Sequence, residues 1–316
     1  MSKTEAIFAD VPTEGPGELG VGWCDVSVPR FAHRIGAIER PTFFTLRVTD
    51  WFENADRHFV ILDRPIVEPQ TFWSTVASVV GRTQERQLLL FVHGYNVSFD
   101  DAVYRTAQLA FDLNFQGAPV LYSWPSNAAT LRYVADSDHS LSTLASFERF
   151  LIELSRQSGA RTIHVIAHSM GNNALVHALA ELAATPPPRP HFREIIMAAP
   201  DVDRREFLRL ADAFQSSADH VTLYAASNDR AIGASDTLHG DPRVGDANPM
   251  FLRKGIDSID ASDIIKGFLK HSYFADSRVL DDIQRLIEHD APLPRFGLVG
   301  MPTNDGATYW RFRQAR

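Results

Sequence analysis

Apolar and polar positions change rhythm twice along the chain. From Val21 to Asp63 the apolar runs are short and β-like. Residues 22–28 (Gly-Trp-Cys-Asp-Val-Ser-Val), 43–48 (Phe-Phe-Thr-Leu-Arg-Val) and 58–62 (His-Phe-Val-Ile-Leu) alternate or are β-branched, and Pro29, Pro41 and Pro65 separate them. Consecutive strands without intervening helices predict an antiparallel edge to a larger sheet. Residues 1–20 are rich in Gly, Pro, Thr and Glu and are expected to form a poorly ordered lead-in. Between Pro69 and Val80 the period becomes helical, with Phe72, Trp73, Val76, Val79 and Val80 on one stripe.

From Gln87 strand-like and helical runs alternate. Leu88 to Val92 is apolar at every position, which predicts a strand covered on both faces. Ser98 opens a helix to about Leu113, with Asp101 placed as in a capping box. Further strands are expected at 119–124, 162–168, 194–199, 221–226 and near 255–259. Helices are expected at 140–155, after the 162–168 strand to 184, at 205–214, at 262–269 and at 276–289. The proline-rich segment 185–190 is a stiff connector, too short to separate domains. Residues 232–255 carry Gly233, Gly240, Pro242, Gly245 and Pro249 and read as a long irregular excursion, of the kind reserved for binding or disorder. The pattern predicts one α/β domain over 21–290, a mainly parallel sheet with helices on both faces. A tail over 291–316 is expected to pack back through Tyr309, Trp310 and Phe312.

Bulk properties narrow the classes. With 316 residues, 45% of them hydrophobic and 22% charged, the chain has ample material for a core. A formal charge of −8 speaks against nucleic-acid binding and against a basic membrane-surface patch. The one cysteine, Cys24, permits neither an internal disulfide nor a thiolate metal site. No run approaches the roughly 18 apolar residues of a membrane helix, and the first residues lack a signal-peptide core. The expectation is a cytoplasmic protein without stable membrane insertion.

In sheets of this kind ligands bind beyond the carboxyl ends of the strands. The residues standing there are His93-Gly94-Tyr95-Asn96, Ser123-Trp124-Pro125, Ser169, Asp201 with Asp203, and Asp229, followed by His271 in a late loop. Ala167-His168-Ser169-Met170-Gly171 sits where a strand meets a helix and matches the G-x-S-x-G nucleophile elbow with alanine in the first glycine position. The turn demands small side chains two before and two after the serine, and alanine meets that demand. The plain alternative for Ser169 is a helix N-cap.

A serine hydroxyl needs a base to take its proton as it attacks, and histidine suits that task near neutral pH. A carboxylate then holds the imidazole tautomer and stabilises its cation. Ser169, Asp229 and His271 provide these groups in the order Ser…Asp…His. Asp201 and Asp203 read first as caps of the helix near Arg205 and stand as the alternative acids; Asp229 reads otherwise as a turn residue. Among 12 histidines, His220 and His239 are the other possible bases. The backbone N–H groups of Met170 and Tyr95 are the expected oxyanion donors. His93, Gly94, Asn96 and His168 are supporting residues, and Tyr95, Trp124, Tyr133 and some of 232–255 are the expected pocket wall. His164 and His168, four apart on a strand, lie about 13 Å apart and form no metal pair. No H-E-x-x-H and no phosphate loop occurs, so no metal or cofactor is expected.

Five segments together carry a family resemblance: 90–96 (Leu-Phe-Val-His-Gly-Tyr-Asn), 123–126 (Ser-Trp-Pro-Ser), 164–172 (His-Val-Ile-Ala-His-Ser-Met-Gly-Asn), 199–203 (Ala-Pro-Asp-Val-Asp) and 224–229 (Tyr-Ala-Ala-Ser-Asn-Asp). Over about residues 21–290 the chain resembles a bacterial α/β-hydrolase family of the esterase/lipase superfamily, catalogued as a domain of unknown function. The resemblance implies an α/β-hydrolase fold and a triad on Ser169, Asp229 and His271; it names no substrate. The expected activity is that of a serine hydrolase acting on small-molecule carboxylic esters through an acyl-enzyme. The same triad would serve an acyltransferase, amidase or peptidase, and a non-catalytic binding module is the third reading.

Overall fold

The apolar run Leu88 to Val92 faces two ways, and both faces are covered. Leu88, Leu90 and Val92 join one buried cluster, Leu89 and Phe91 another, as the two-residue period of a strand requires. These positions come from a computed structural model that describes residues 2–10, 19–29, 31–41, 54–126, 143–229, 242–264 and 273–313.

The described elements are, in chain order, β1 (Ser2–Asp10), β2 (Gly20–Val28), β3 (Val60–Asp63), β4 (Ile66–Val67), α1 (Pro69–Val80), β5 (Gln87–Val92), α2 (Phe99–Asp112), β6 (Ala118–Ser123) and α3 (Leu144–Gln157). After them come β7 (Thr162–His168), α4 (Gly171–Ala184), β8 (Phe192–Ala198), α5 (Arg204–Ser216), β9 (Ala218–Ala225), β10 (Asp257–Asp260), a 3-10 turn (Tyr273–Ala275), α6 (Ser277–His289), β11 (Leu298–Pro302) and β12 (Thr308–Phe312). They build a 12-stranded sheet in the order β11-β12-β10-β9-β8-β7-β5-β6-β1-β2-β3, with β4 beside β2. Pairing is parallel from β12 through to β1. It is antiparallel at both ends, between β11 and β12 and among β1 to β4. Helices α1, α3, α4 and α5 cover one face, α2 and α6 the other. The sheet is therefore mainly parallel, clothed on both faces, with an antiparallel N-terminal edge, as the sequence pattern predicts.

Local signals set the helix starts. Pro69 occupies the first position of α1, where its missing N–H is not needed. Ser98 caps α2: its Oγ accepts from the Asp101 N–H at 3.2 Å and donates to Asp101 Oδ2 at 2.6 Å.

Both terminal segments add strands to the sheet. Within the lead-in expected over residues 1–20 lies strand β1, inserted between β2 and β6. Its Phe8 is buried and meets Phe99 edge-on at 4.9 Å. The short run Ala6-Ile7-Phe8-Ala9 is enough for a strand once two partners supply ladders on both sides. The tail, expected to pack back, adds a β-hairpin to the sheet, with Trp310 and Arg311 of β12 registered on Ile259 and Asp260 of β10. The strand expected at 43–48, the start of the 140–155 helix and most of the 262–269 helix lie outside the described residues.

The connections position the site. From β5 the chain passes through α2 to β6 on one side, then through α3 to β7 on the other side of β5. Strand order reverses there, and such a reversal leaves a crevice at the carboxyl ends. Those ends carry His93-Gly94 and Ser169.

Candidate active site

Ser169 joins β7 to α4 with a left-handed backbone, φ +52°. A non-glycine residue held there costs about 1–3 kcal/mol, so the surroundings must over-determine it. They do. The Ser169 N–H donates to Ala198 O at 2.9 Å, and its carbonyl accepts from the N–H groups of Asn172 at 3.0 Å and Asp201 at 3.2 Å. The fully buried Asn172 amide also donates from Nδ2 to Ala167 O at 2.9 Å and to Ser169 O at 3.2 Å. Strand β8 and the first turn of α4 thus pin both sides of the turn. Asn172 was not singled out by its chemistry in the sequence; a buried amide in the first turn after a serine is the signal that points to it.

The small residues are explained by contact. A Cβ on Gly171 would lie 2.5 Å from His93 O, and one on Gly94 would lie 2.8 Å from Ser169 Cβ. Ala167, in the first glycine position of the motif, is fully buried within the core cluster and is accommodated. The loop after β5 therefore rests against the serine. Gly94→Val is expected to lower kcat/KM on an ester by about 100-fold, the scale of a 1 Å misplacement. Full activity in a folded Gly94→Val protein would show that the loop does not position the chemistry.

His93 fixes that loop. Its Nε2 accepts from the Trp124 N–H at 3.2 Å, which leaves the proton on Nδ1 to donate to Gly94 O at 2.9 Å. The ring stacks on Trp124 with centroids 5.2 Å apart and planes 7° off parallel, and Trp124 Nε1 donates to His93 O at 2.9 Å. Trp124, expected on the pocket wall, is only 1% exposed and lies among the core residues beneath the loop. Its position after a strand end brought it to the site region, while its indole was claimed by packing. Tyr95 is half-buried and Asn96 is exposed with φ +55°. Met170 directly precedes α4, so its N–H stands at the helix N-terminus.

On the other side of the loop a cavity of about 260 Å³ is lined by His93, Gly94, His168, Arg105 and Phe274, among others. The His168 ring packs on Phe274 at 4.5 Å. Arg105 donates to Gln108 Oε1 at 2.7 Å and stands 5.7 Å above the Phe274 ring. Burial lowers its pKa to about 10, opposed by Asp112 and Asp101, so it remains a cation near neutral pH.

The acids separate by their partners. Asp203 accepts from the Glu206 N–H at 2.8 Å and caps α5. Asp201 pairs with Arg243 at 3.4 Å. Asp229 is 5% exposed, four residues beyond β9. Its turn is tied to the turn after β10: the Ser227 N–H donates to Ser262 Oγ at 2.9 Å and Asn228 Nδ2 to Ser262 O at 3.1 Å. His271, Tyr133 and His239 lie outside the described residues. Phe274, three residues after His271, packs on His168. His220 sits near the amino end of β9, at the far end of the sheet from Ser169, which removes it as a base. The described stretch of the 232–255 excursion packs beneath the strand ends: Gly245 N–H donates to Pro200 O at 2.9 Å, and Val244 is buried.

Comparison with known proteins identifies the class. The family described as "Alpha/beta hydrolase of unknown function (DUF900)" matches residues 69–289, and the chain belongs to it. No curated protein matches the sequence. Among solved structures, a predicted CIB-like hydrolase from Thermoplasma acidophilum is 14% identical, over 71% of this chain and 91% of that one, with a TM-score of 0.37. The Pyrococcus furiosus esterase Pf2001 is 11% identical over 64% and 82%, TM-score 0.38. The propionate-bound esterase Est2 of Thermogutta terrifontis is 11% identical over 66% and 85%, TM-score 0.34. In the described residues no helix is long and apolar enough to cross a membrane.

Proposed function

We propose that the protein is a serine hydrolase acting on small carboxylic esters through an acyl-enzyme on Ser169. The observation that carries this reading is the left-handed serine at the β7–α4 junction, with the Gly94 backbone against it. In this reading Ser169 Oγ attacks the acyl carbon while His271 takes its proton, and Asp229 holds the imidazolium. The N–H groups of Met170 and Tyr95 receive the oxyanion, each worth about 2.7–4 kcal/mol in the transition state. His271 then protonates the departing alcohol and activates the water that releases the acid. Two features support His271: Phe274, three residues after it, packs on His168, and the Asp229 turn is bonded to Ser262, nine residues before it.

A fluorophosphonate probe tests the nucleophile directly. The folded protein is expected to gain one phosphonyl adduct on Ser169, and Ser169→Ala none. An adduct that persists in Ser169→Ala, or that maps to another residue, would sink the assignment.

A further inference from the structure

The end of the sheet away from Ser169 carries a row of titratable side chains on the face that α2 and α6 cover. Register sets His164 of β7 beside Glu194 of β8, and Glu194 beside His220 of β9. Two residues further along β7 and β8, and four along β9, the same face bears Ile166, Ile196 and Tyr224, which belong to the cluster beneath α2 and α6. Glu194 is 0% exposed, and among the described residues neither of its carboxyl oxygens has a hydrogen-bond partner. Both ring nitrogens of the buried His164 likewise have no partner among the described residues. At the outer end of the row His220 Nε2 lies 3.2 Å from Oδ1 of Asp290, the residue that closes α6. One donor atom from each of Glu194, His220 and Asp290 falls within 4.8 Å of the others.

A buried carboxyl group without a partner among the described residues is uncommon and calls for an explanation. The neighbouring cations do not supply one: Arg193 is engaged by Asp219 at 3.1 Å and by Asp290, and Arg295 by Asp282 at 2.7 Å. His220 Nε2 faces Asp290 Oδ1 at 3.2 Å. A metal ion between the three side chains would satisfy Glu194 and be held by His220 and Asp290. We propose that Glu194, His220 and Asp290 bind a divalent transition-metal ion, distinct from the site at Ser169.

The donor set fits that class. One imidazole nitrogen with carboxylate oxygens suits zinc and its neighbours, whereas calcium takes six to eight oxygens. Ligand atoms about 2.0–2.2 Å from zinc lie within about 4.4 Å of one another, and the three donor atoms here all lie within 4.8 Å. The His220 and Asp290 side chains are 52% and 42% exposed and have room to close on Glu194. A cavity of about 460 Å³, lined by His164, Arg193, Asp219 and Asp290 among others, opens beside Asp290. His164, one strand inward, is placed to bond a metal-held water. Bound there, the ion would tie β8, β9 and the end of α6 together.

Zinc titration of chelator-treated protein by calorimetry tests this, with thermal melting alongside. Wild type and Ser169→Ala are expected to bind one equivalent and to melt higher with zinc. His220→Ala and Asp290→Asn are expected to bind at least tenfold more weakly, with the melting shift lost. Both changes are at the surface, so the test does not depend on how Glu194→Gln folds. Wild type that binds no zinc, or His220→Ala that binds it as wild type does, would overturn the site.

Discussion

Ser169→Ala is expected to lower kcat on a short p-nitrophenyl ester by about 10⁴- to 10⁶-fold, the range over which a nucleophile that works within a unit is lost. His271→Ala is expected to cost about as much, and the double variant no more than either single one, because each removes the same covalent route. The residue of activity would come from the oxyanion donors and from binding. The acid separates the two carboxylate assignments. Asp229→Asn is expected to lower kcat by about 10⁴-fold, since an amide holds the imidazole in the wrong tautomer. Asp201→Asn is expected to leave kcat within about tenfold, because Asp201 already faces Arg243 at 3.4 Å and holds the elbow carbonyl through its backbone N–H. If Asp201→Asn took the large loss and Asp229→Asn did not, the triad acid would move to Asp201. More than about 1% of activity left in Ser169→Ala would remove the acyl-enzyme altogether.

What was legible in the sequence was what short-range pattern encodes. Leu88 to Val92 reads as a doubly covered strand because every position is apolar, and its two faces are indeed both buried. The elbow reads from Ala167, Ser169 and Gly171 because close approach of a strand and a helix excludes larger side chains. Ser98 and Asp203 read as caps because a cap is a local device. What escaped depended on partners far along the chain. Strand β1 is held by β2 and by β6, and its own residues carry only a brief apolar run. Trp124 could stand in a wall or in a core, and only its stack on His93 decides. The left-handed Ser169 is sustained by Ala198 and Asp201 on and beyond the neighbouring strand. The polar row of His164, Glu194 and His220 is drawn from three separate strands and exists only through register.

Arg295→Met is expected to destabilise the fold by about 3–5 kcal/mol, the cost of stripping one partner from a buried ion pair. Arg295 comes from the tail and reaches Asp282 of α6 with Nε at 2.7 Å to one oxygen and a terminal nitrogen at 3.0 Å to the other. Tyr224 of β9 donates its hydroxyl to the same carboxylate at 2.6 Å. Asp282, Arg295 and Tyr224 are all buried, and burial together with the Asp282 charge raises the Tyr224 pKa well above the ordinary phenol value. Without Arg295 the Asp282 charge keeps only a neutral donor, too little for a carboxylate removed from water. Replacing the whole group, with Arg295→Met, Asp282→Leu and Tyr224→Phe together, is expected to cost less than Arg295→Met alone, because the one carboxylate then left without Arg295 is Asp257, whose side chain is 43% exposed to water. Urea unfolding of the two variants makes the comparison. Ester turnover per folded molecule should stay near wild type in both, since the network touches neither Gly94 nor Ser169. A triple variant less stable than Arg295→Met would mean that the network contributes net stability beyond the penalty of breaking it, and that the tail is joined to the body by this charge pair more than by the hairpin β11–β12.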